Sequence, residues 1–146
     1  SIWVDYAHKP DALEKVLQNL QAERKTGRLW TVVGCGGDRD RSKRPVMAEI
    51  AERLSDRIVV TSDNPRTEKP EAILQEICQG FTRKDSHQVE ADRKTAIFMA
   101  IHAMKAGDFL VIAGKGHEAY QIVGQETLPF DDVQVAAQAL AERPQS

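Results

Sequence analysis

Several things are scarce or missing in this chain of 146 residues, and each absence narrows what it can be. Only two cysteines occur, Cys35 and Cys78, and they are too far apart to form a CxxC pair. Two free thiols in a reducing cytoplasm are the simplest account. No apolar run approaches the ~20 residues that a membrane helix needs, and no signal-peptide pattern stands at the start. The net charge is only −2, so neither nucleic acid nor a membrane surface is expected as the main partner. His8 has no Cys or second His at metal-ligand spacing, so no metal site is expected. No GxSxG element and no Cys–His signature marks a nucleophile.

What is present fits one globular domain over residues 1–146. Hydrophobic residues make up 41% and charged residues 29%, enough for a real core. Ser1 stands directly before a strand-like run, Ile2-Trp3-Val4, and this abrupt start reads as a domain cut from a longer protein. Pro10 opens a helix with Leu13, Val16, Leu17 and Leu20 on one face, ending at Gly27. The apolar run Leu29 to Val33 reads as a strand covered on both faces. A helix from about Pro45 carries Met47, Ile50, Ala51 and Leu54. A strand from Ile58 to Thr61 is stopped by Pro65. Pro70 opens a helix bearing Ile73, Leu74, Ile77 and Phe81. A polar segment from Ser86 to Glu90 is a weak strand candidate. Asp92 caps a helix that runs to about Ala106. Strand Phe109 to Ala113, a hairpin around Gly124-Gln125, a helix from about Asp132 to Ala141 and a tail from Arg143 complete the chain. This alternation predicts an α/β domain: a doubly wound, Rossmann-like, mainly parallel sheet of about six strands with helices on both faces.

Four polar or Gly-rich stretches fall at strand ends: Asp5 to His8, Gly34 to Arg44, Asp63 to Arg66 and Gly114 to Glu118. Ligands of such sheets bind at the carboxyl ends of strands, near a reversal of strand order, so the four could share one edge. Asp63-Asn64-Pro65-Arg66 places an acceptor, a mixed donor–acceptor and a planar cation on a stiffened turn. Arg66 can grip a carboxylate through two parallel hydrogen bonds; taken alone, the tetrapeptide equally fits an Asx-type turn with a solvated Arg. The Gly34 loop has Gly34-x-Gly36, but Arg39 stands where a dinucleotide loop needs its third Gly, and no Gly-Lys-Ser/Thr follows. Its four cations (Arg39, Arg41, Lys43, Arg44) outnumber Asp38 and Asp40, which suits an anionic ligand or a merely solvated loop. Gly114-Lys115-Gly116-His117-Glu118 sets bare carbonyls beside a carboxylate. That is the outline of a cation or amine site, or else an ordinary Gly-rich turn.

Taken together, Asp5-Tyr6-Ala7-His8-x-Pro10-Asp11, Gly34-Cys35-Gly36-Gly37-Asp38-Arg39-Asp40, Asp63-Asn64-Pro65-Arg66 and Gly114-Lys115-Gly116-His117-Glu118 closely resemble the C-terminal domain of the Mur ligases. The resemblance covers essentially the whole chain in family order, and DNPR looks like the branch that adds meso-diaminopimelate to the peptidoglycan stem peptide. Lys9, where relatives often carry Thr, departs from the pattern. The resemblance implies a bacterial cytoplasmic enzyme of cell-wall synthesis. By that resemblance, ATP with Mg2+ would phosphorylate the D-glutamyl carboxylate of UDP-N-acetylmuramoyl-L-alanyl-D-glutamate, and the amino acid's amine would attack the acyl phosphate, giving amide and phosphate. It further implies that the N-terminal UDP-substrate domain and the central ATP-binding domain lie outside this chain. The fragment alone would then be inactive and hold neither ATP nor Mg2+ tightly. Carried over, Arg39, Asp63, Asn64, Arg66, Gly114 and Glu118 would bind diaminopimelate. Asp5, His8 and Lys115 would face the nucleotide, with His8 the candidate nearest the chemistry. The rivals are another Mur or folylpolyglutamate-type amide ligase, a stand-alone nucleotide- or amino-acid-binding module, and a purely structural domain.

Overall fold

The computed structural model describes residues 1–144; Gln145 and Ser146, the end of the expected tail, lie outside the described residues. The elements follow one another as β1 (Ile2–Asp5), α1 (Pro10–Glu23), β2 (Leu29–Val33), α2 (Lys43–Leu54), β3 (Arg57–Val60), α3 (Pro70–Cys78), β4 (His87–Val89), α4 (Arg93–Ala103), β5 (Phe109–Ala113), β6 (Tyr120–Val123), β7 (Glu126–Pro129) and α5 (Asp132–Ala141). Five strands form one parallel sheet in the order β1-β5-β2-β3-β4.

Alternation along the central strands builds two cores. Leu29, Val33, Ile58, Val60 and Val111 pack under α1, α2 and α3. Trp30, Val32, Val59, Leu110 and Ile112 face the other way, under α4 and α5. The doubly wound, Rossmann-like architecture is therefore present, with helices on both faces.

The sheet has five strands rather than about six. The expected terminal hairpin exists as β6–β7, but it forms a separate antiparallel pair, bridged only from Val123 to Arg66 among the described residues and not joined to the five-stranded sheet. Its side chains are mostly exposed, so it could not sit inside a sheet covered on both faces. The weak segment near Ser86 does form a strand, β4, at the sheet's edge. Three helices end earlier than expected. The backbone turns extended at Arg24 and Met104, so α1 stops short of Gly27 and α4 short of Ala106. α3 closes at Cys78, leaving Phe81 packed against the core from the following turn. Asp92 caps α4 as expected, accepting from the Thr95 N–H at 3.0 Å.

Candidate functional site

The chain leaves β1, β2 and β3 toward α1, α2 and α3 on one face of the sheet. It leaves β5 toward the hairpin and α5 on the other. Strand β5 lies between β1 and β2, so loops diverge on both sides of it and a crevice opens at the carboxyl edge. A cleft of about 310 Å³ occupies this place. It brings together His8, Arg39, Asp63, Asn64, Arg66, Gly114 and Glu118, from all four strand-end stretches. Asp5 and Lys115 do not line it.

The DNPR turn is not a solvated one. Ser62, Asp63 and Asn64 are only 6%, 6% and 3% exposed. Two neighbours hold the turn. The first is the glycine loop, in which the Gly37 N–H donates to the Asn64 carbonyl at 2.8 Å. A Cβ on Gly37 would lie 1.8 Å from the Pro65 oxygen, so only glycine allows this approach of two backbones. The second is the hairpin. The Arg66 N–H donates to Ile122 O at 3.0 Å, and the Gly124 N–H donates to Arg66 O at 2.6 Å. These bonds hold Arg66 at φ 53°, a left-handed conformation that L-residues seldom adopt without such support. The Arg66 guanidinium turns back over the glycine loop, with Nη1 3.0 Å from the Gly37 carbonyl.

Half of the cations in the Gly34–Arg44 loop already have carboxylate partners. Arg41 makes a two-bond pair with Glu76. Arg44, buried, binds Glu68 through both terminal nitrogens and reaches Glu76 and the Gly36 carbonyl. The Arg44 guanidinium, helped by the Asp38 N–H, holds the Glu68 carboxyl down to about 2. Arg39 and Lys43 line the cleft, and neither makes an ion pair among the described residues. Among the described residues the Arg39 side chain hydrogen-bonds only to the Asp38 carbonyl, at 2.9 Å.

Beneath the β3 and β5 ends the charges are buried. Lys115, expected on the nucleotide side, is 0% exposed. Its ammonium donates inward to Asn64 Oδ1 at 3.1 Å, Glu118 Oε1 at 3.3 Å and the Tyr120 carbonyl. Burial raises the Asp63 pKa, with Arg93 and Lys115 opposing it. Asp63 Oδ2 lies against Gly114, which sits at φ 113°; a Cβ there would be 2.6 Å from that oxygen. Burial, with the Asp63 charge, also pushes the Cys35 thiol up to about 12, so this cleft cysteine stays protonated and is a poor nucleophile. Asp5 accepts the Ala7 N–H at 2.8 Å in a local turn. His8 is exposed at the rim, its Nδ1 2.9 Å from the Tyr6 carbonyl.

One supporting pair left no signal in the sequence. Arg93, at the start of α4, and Asp132, in α5, are both 0% exposed and meet through two 2.8 Å bonds. The same guanidinium donates to the carbonyls of Ser62 and Ala113. Those residues immediately precede Asp63 and Gly114, so this ion pair sets the spacing of the two loops.

Among the described residues, no three His, Cys, Asp or Glu groups come together in a way that could hold a metal ion. No described helix is long and apolar enough to cross a membrane.

The chain has clear relatives among known proteins. Residues 1–116 match the family model "Mur ligase, glutamate ligase domain". A ligase of Gloeobacter violaceus named UDP-N-acetylmuramoyl-L-alanyl-D-glutamate--2,6-diaminopimelate ligase is 55% identical over 98% of this chain and 29% of its own length. Its namesake from Vibrio vulnificus is 53% identical over 94% of this chain and 28% of its own length. The chain thus spans a little over a quarter of these relatives. A solved structure of a ligase with this name superposes with a TM-score of 0.91 at 45% identity, covering 96% of this chain and 29% of that one. Mycobacterium tuberculosis folylpolyglutamate synthase superposes at 0.60 with 22% identity, over 99% of this chain and 30% of that one, a likeness of fold alone. By its family match and by relatives more than half identical over nearly its whole length, the chain belongs to the Mur ligase family, within the glutamate ligase domain.

Proposed function

We propose that this chain is the amino-acid-binding, C-terminal domain of an ATP-dependent ligase that joins meso-diaminopimelate to UDP-N-acetylmuramoyl-L-alanyl-D-glutamate in peptidoglycan precursor synthesis. The rest of the longer protein, its UDP-substrate and ATP-binding domains, would activate the glutamyl carboxyl with ATP and Mg2+ in the bacterial cytoplasm. This chain would deliver the amine and close over the nucleotide. The observation that carries the reading is one cleft holding Arg66, Asn64 and Arg39 together with Glu118 and Asp63.

That set complements the distal end of diaminopimelate. Arg66, Arg39 and the Asn64 amide offer donors to carboxylates. Glu118, Asp63 and the Gly114 carbonyl offer acceptors to an ammonium. The Asp63 carboxylate has no hydrogen-bond donor among the described residues, and an incoming cation would relieve the cost of its burial. Asp5 and His8 would lie toward the nucleotide, with His8 free at the rim to meet a phosphate. Lysine is diaminopimelate without one carboxylate, so it would leave Arg66 desolvated and unpaired. A site built around a missing group can discriminate by up to ~10⁴-fold.

The test is Arg66→Ala in the full-length enzyme. We expect the KM for diaminopimelate to rise by about a hundredfold, the loss of a bidentate charged contact, with the KM for ATP unchanged. An unaltered KM for diaminopimelate would remove Arg66 from the site. Calorimetric titration of this chain with diaminopimelate, lysine and ADP separates an amino-acid domain from a nucleotide-binding module.

A further inference from the structure

We propose that Lys115 is a positioning residue for amino-acid recognition: its buried ammonium sets which face of Asn64 and which oxygen of Glu118 meet the substrate. The inference rests on the preceding reading of the cleft and deepens it. A lysine ammonium has three N–H donors and no acceptor. All three have protein partners here, Asn64 Oδ1, Glu118 Oε1 and the Tyr120 carbonyl, and the side chain is fully buried. No N–H remains to reach a phosphate.

The consequences at Asn64 are specific. Its Oδ1 accepts from Lys115 and also from the Ile122 N–H at 3.0 Å, so both lone-pair directions are occupied. The amide can then turn only its Nδ2 toward the cleft, where it lies 3.4 Å from Glu118 Oε1. Asn64, ambivalent in the sequence, becomes a pure donor for a ligand carboxylate. At Glu118, Oε1 is shared between Lys115 and Asn64, and Oε2 has no partner among the described residues. That oxygen is the acceptor available to a ligand ammonium. A donor and an acceptor are thus held side by side in fixed order, which matches the adjacent carboxylate and ammonium on one amino-acid carbon. Lys115 also ties the Gly114 loop to the hairpin through Tyr120, and the same hairpin supports Arg66.

The experiment uses the full-length ligase with Lys115→Met, Asn64→Ala and the double variant, each assayed with meso-diaminopimelate and ATP varied separately. Losing the ammonium frees Asn64 to flip and Glu118 to swing, so the KM for diaminopimelate should rise about tenfold or more, with kcat and the KM for ATP within about twofold. In the Asn64→Ala background the effect of Lys115→Met should shrink at least threefold, since the two residues act through one network. Should Lys115→Met fail to fold, Lys115→Arg keeps a buried cation with different geometry and should show the same selective rise in the KM for diaminopimelate. A rise in the KM for ATP matching that for diaminopimelate would overturn the proposal and return Lys115 to the phosphates. Additive effects in the double variant would also overturn it and leave Lys115 a packing residue. Wild-type enzyme that does not turn over diaminopimelate would instead defeat the functional reading itself, before any variant is compared.

Discussion

The two walls of the cleft both carry charges but hold them differently. On the glycine-loop wall, Arg39 and Arg41 reach into solvent, and the pairing carboxylates Glu68 and Glu76 stay partly exposed. On the wall made by the β3 and β5 ends, Arg93, Asp132 and Lys115 are entirely buried, Arg93 and Asp132 paired across distant segments and Lys115 bonded to Asn64, Glu118 and Tyr120. Apart from buried Arg44, the charges of the first wall are screened by water and can adjust to a ligand at small cost. The second cannot move one member without stranding another in low dielectric. Geometry is therefore set from below, and attraction is supplied from the side.

Breaking this contrast should have its largest effect at Arg93. Arg93→Ala strands Asp132 and two loop carbonyls, and should cost ~3–5 kcal/mol in urea unfolding of the chain. Arg93→Met with Asp132→Leu should recover much of that loss. A near-neutral single variant would erase the difference between the walls. An intermediate effect is expected from acid. Folding lowers the Glu68 carboxyl from 4.5 to about 2 through its bonds to Arg44 and the Asp38 N–H. Its contribution is thus fully present above pH 4.5 and is lost as pH falls toward 2. Thermal unfolding across that window should show a shallower acid slope for Glu68→Gln than for wild type. The smallest effect should come from Arg41→Ala, whose urea midpoint should be indistinguishable from wild type, because the Arg41–Glu76 pair is largely solvated.

Much of this was legible from local pattern. Apolar periodicity located the strands and helices, and proline and Asp92 marked helix starts, because those signals depend on neighbours a few residues away. The convergence of Asp63–Arg66 with Gly114–Glu118 followed from the rule that parallel strands present their carboxyl ends together. Long-range pairing was not legible. Nothing near Arg93 announces Asp132, and nothing in Gly-Lys-Gly-His-Glu announces that Lys115 turns inward to the hairpin. Arg41 and Arg44 look like free cations in the sequence, but their partners Glu68 and Glu76 lie in the turn after β3 and in α3. Helix ends were misplaced where the backbone turns extended without a glycine or proline to mark it, as at Arg24 and Met104.

The strand order has a bearing on how the molecule is made. Among the described residues β1 pairs only with β5, Ile2 opposite Leu110, so the strand that comes first in this sequence has no sheet partner until most of the domain has been made. β2 likewise keeps one side open until β5 slots in beside it. Closure of the sheet is a late, high-contact-order event, and the cleft, whose loops flank that last strand, takes shape only when it arrives.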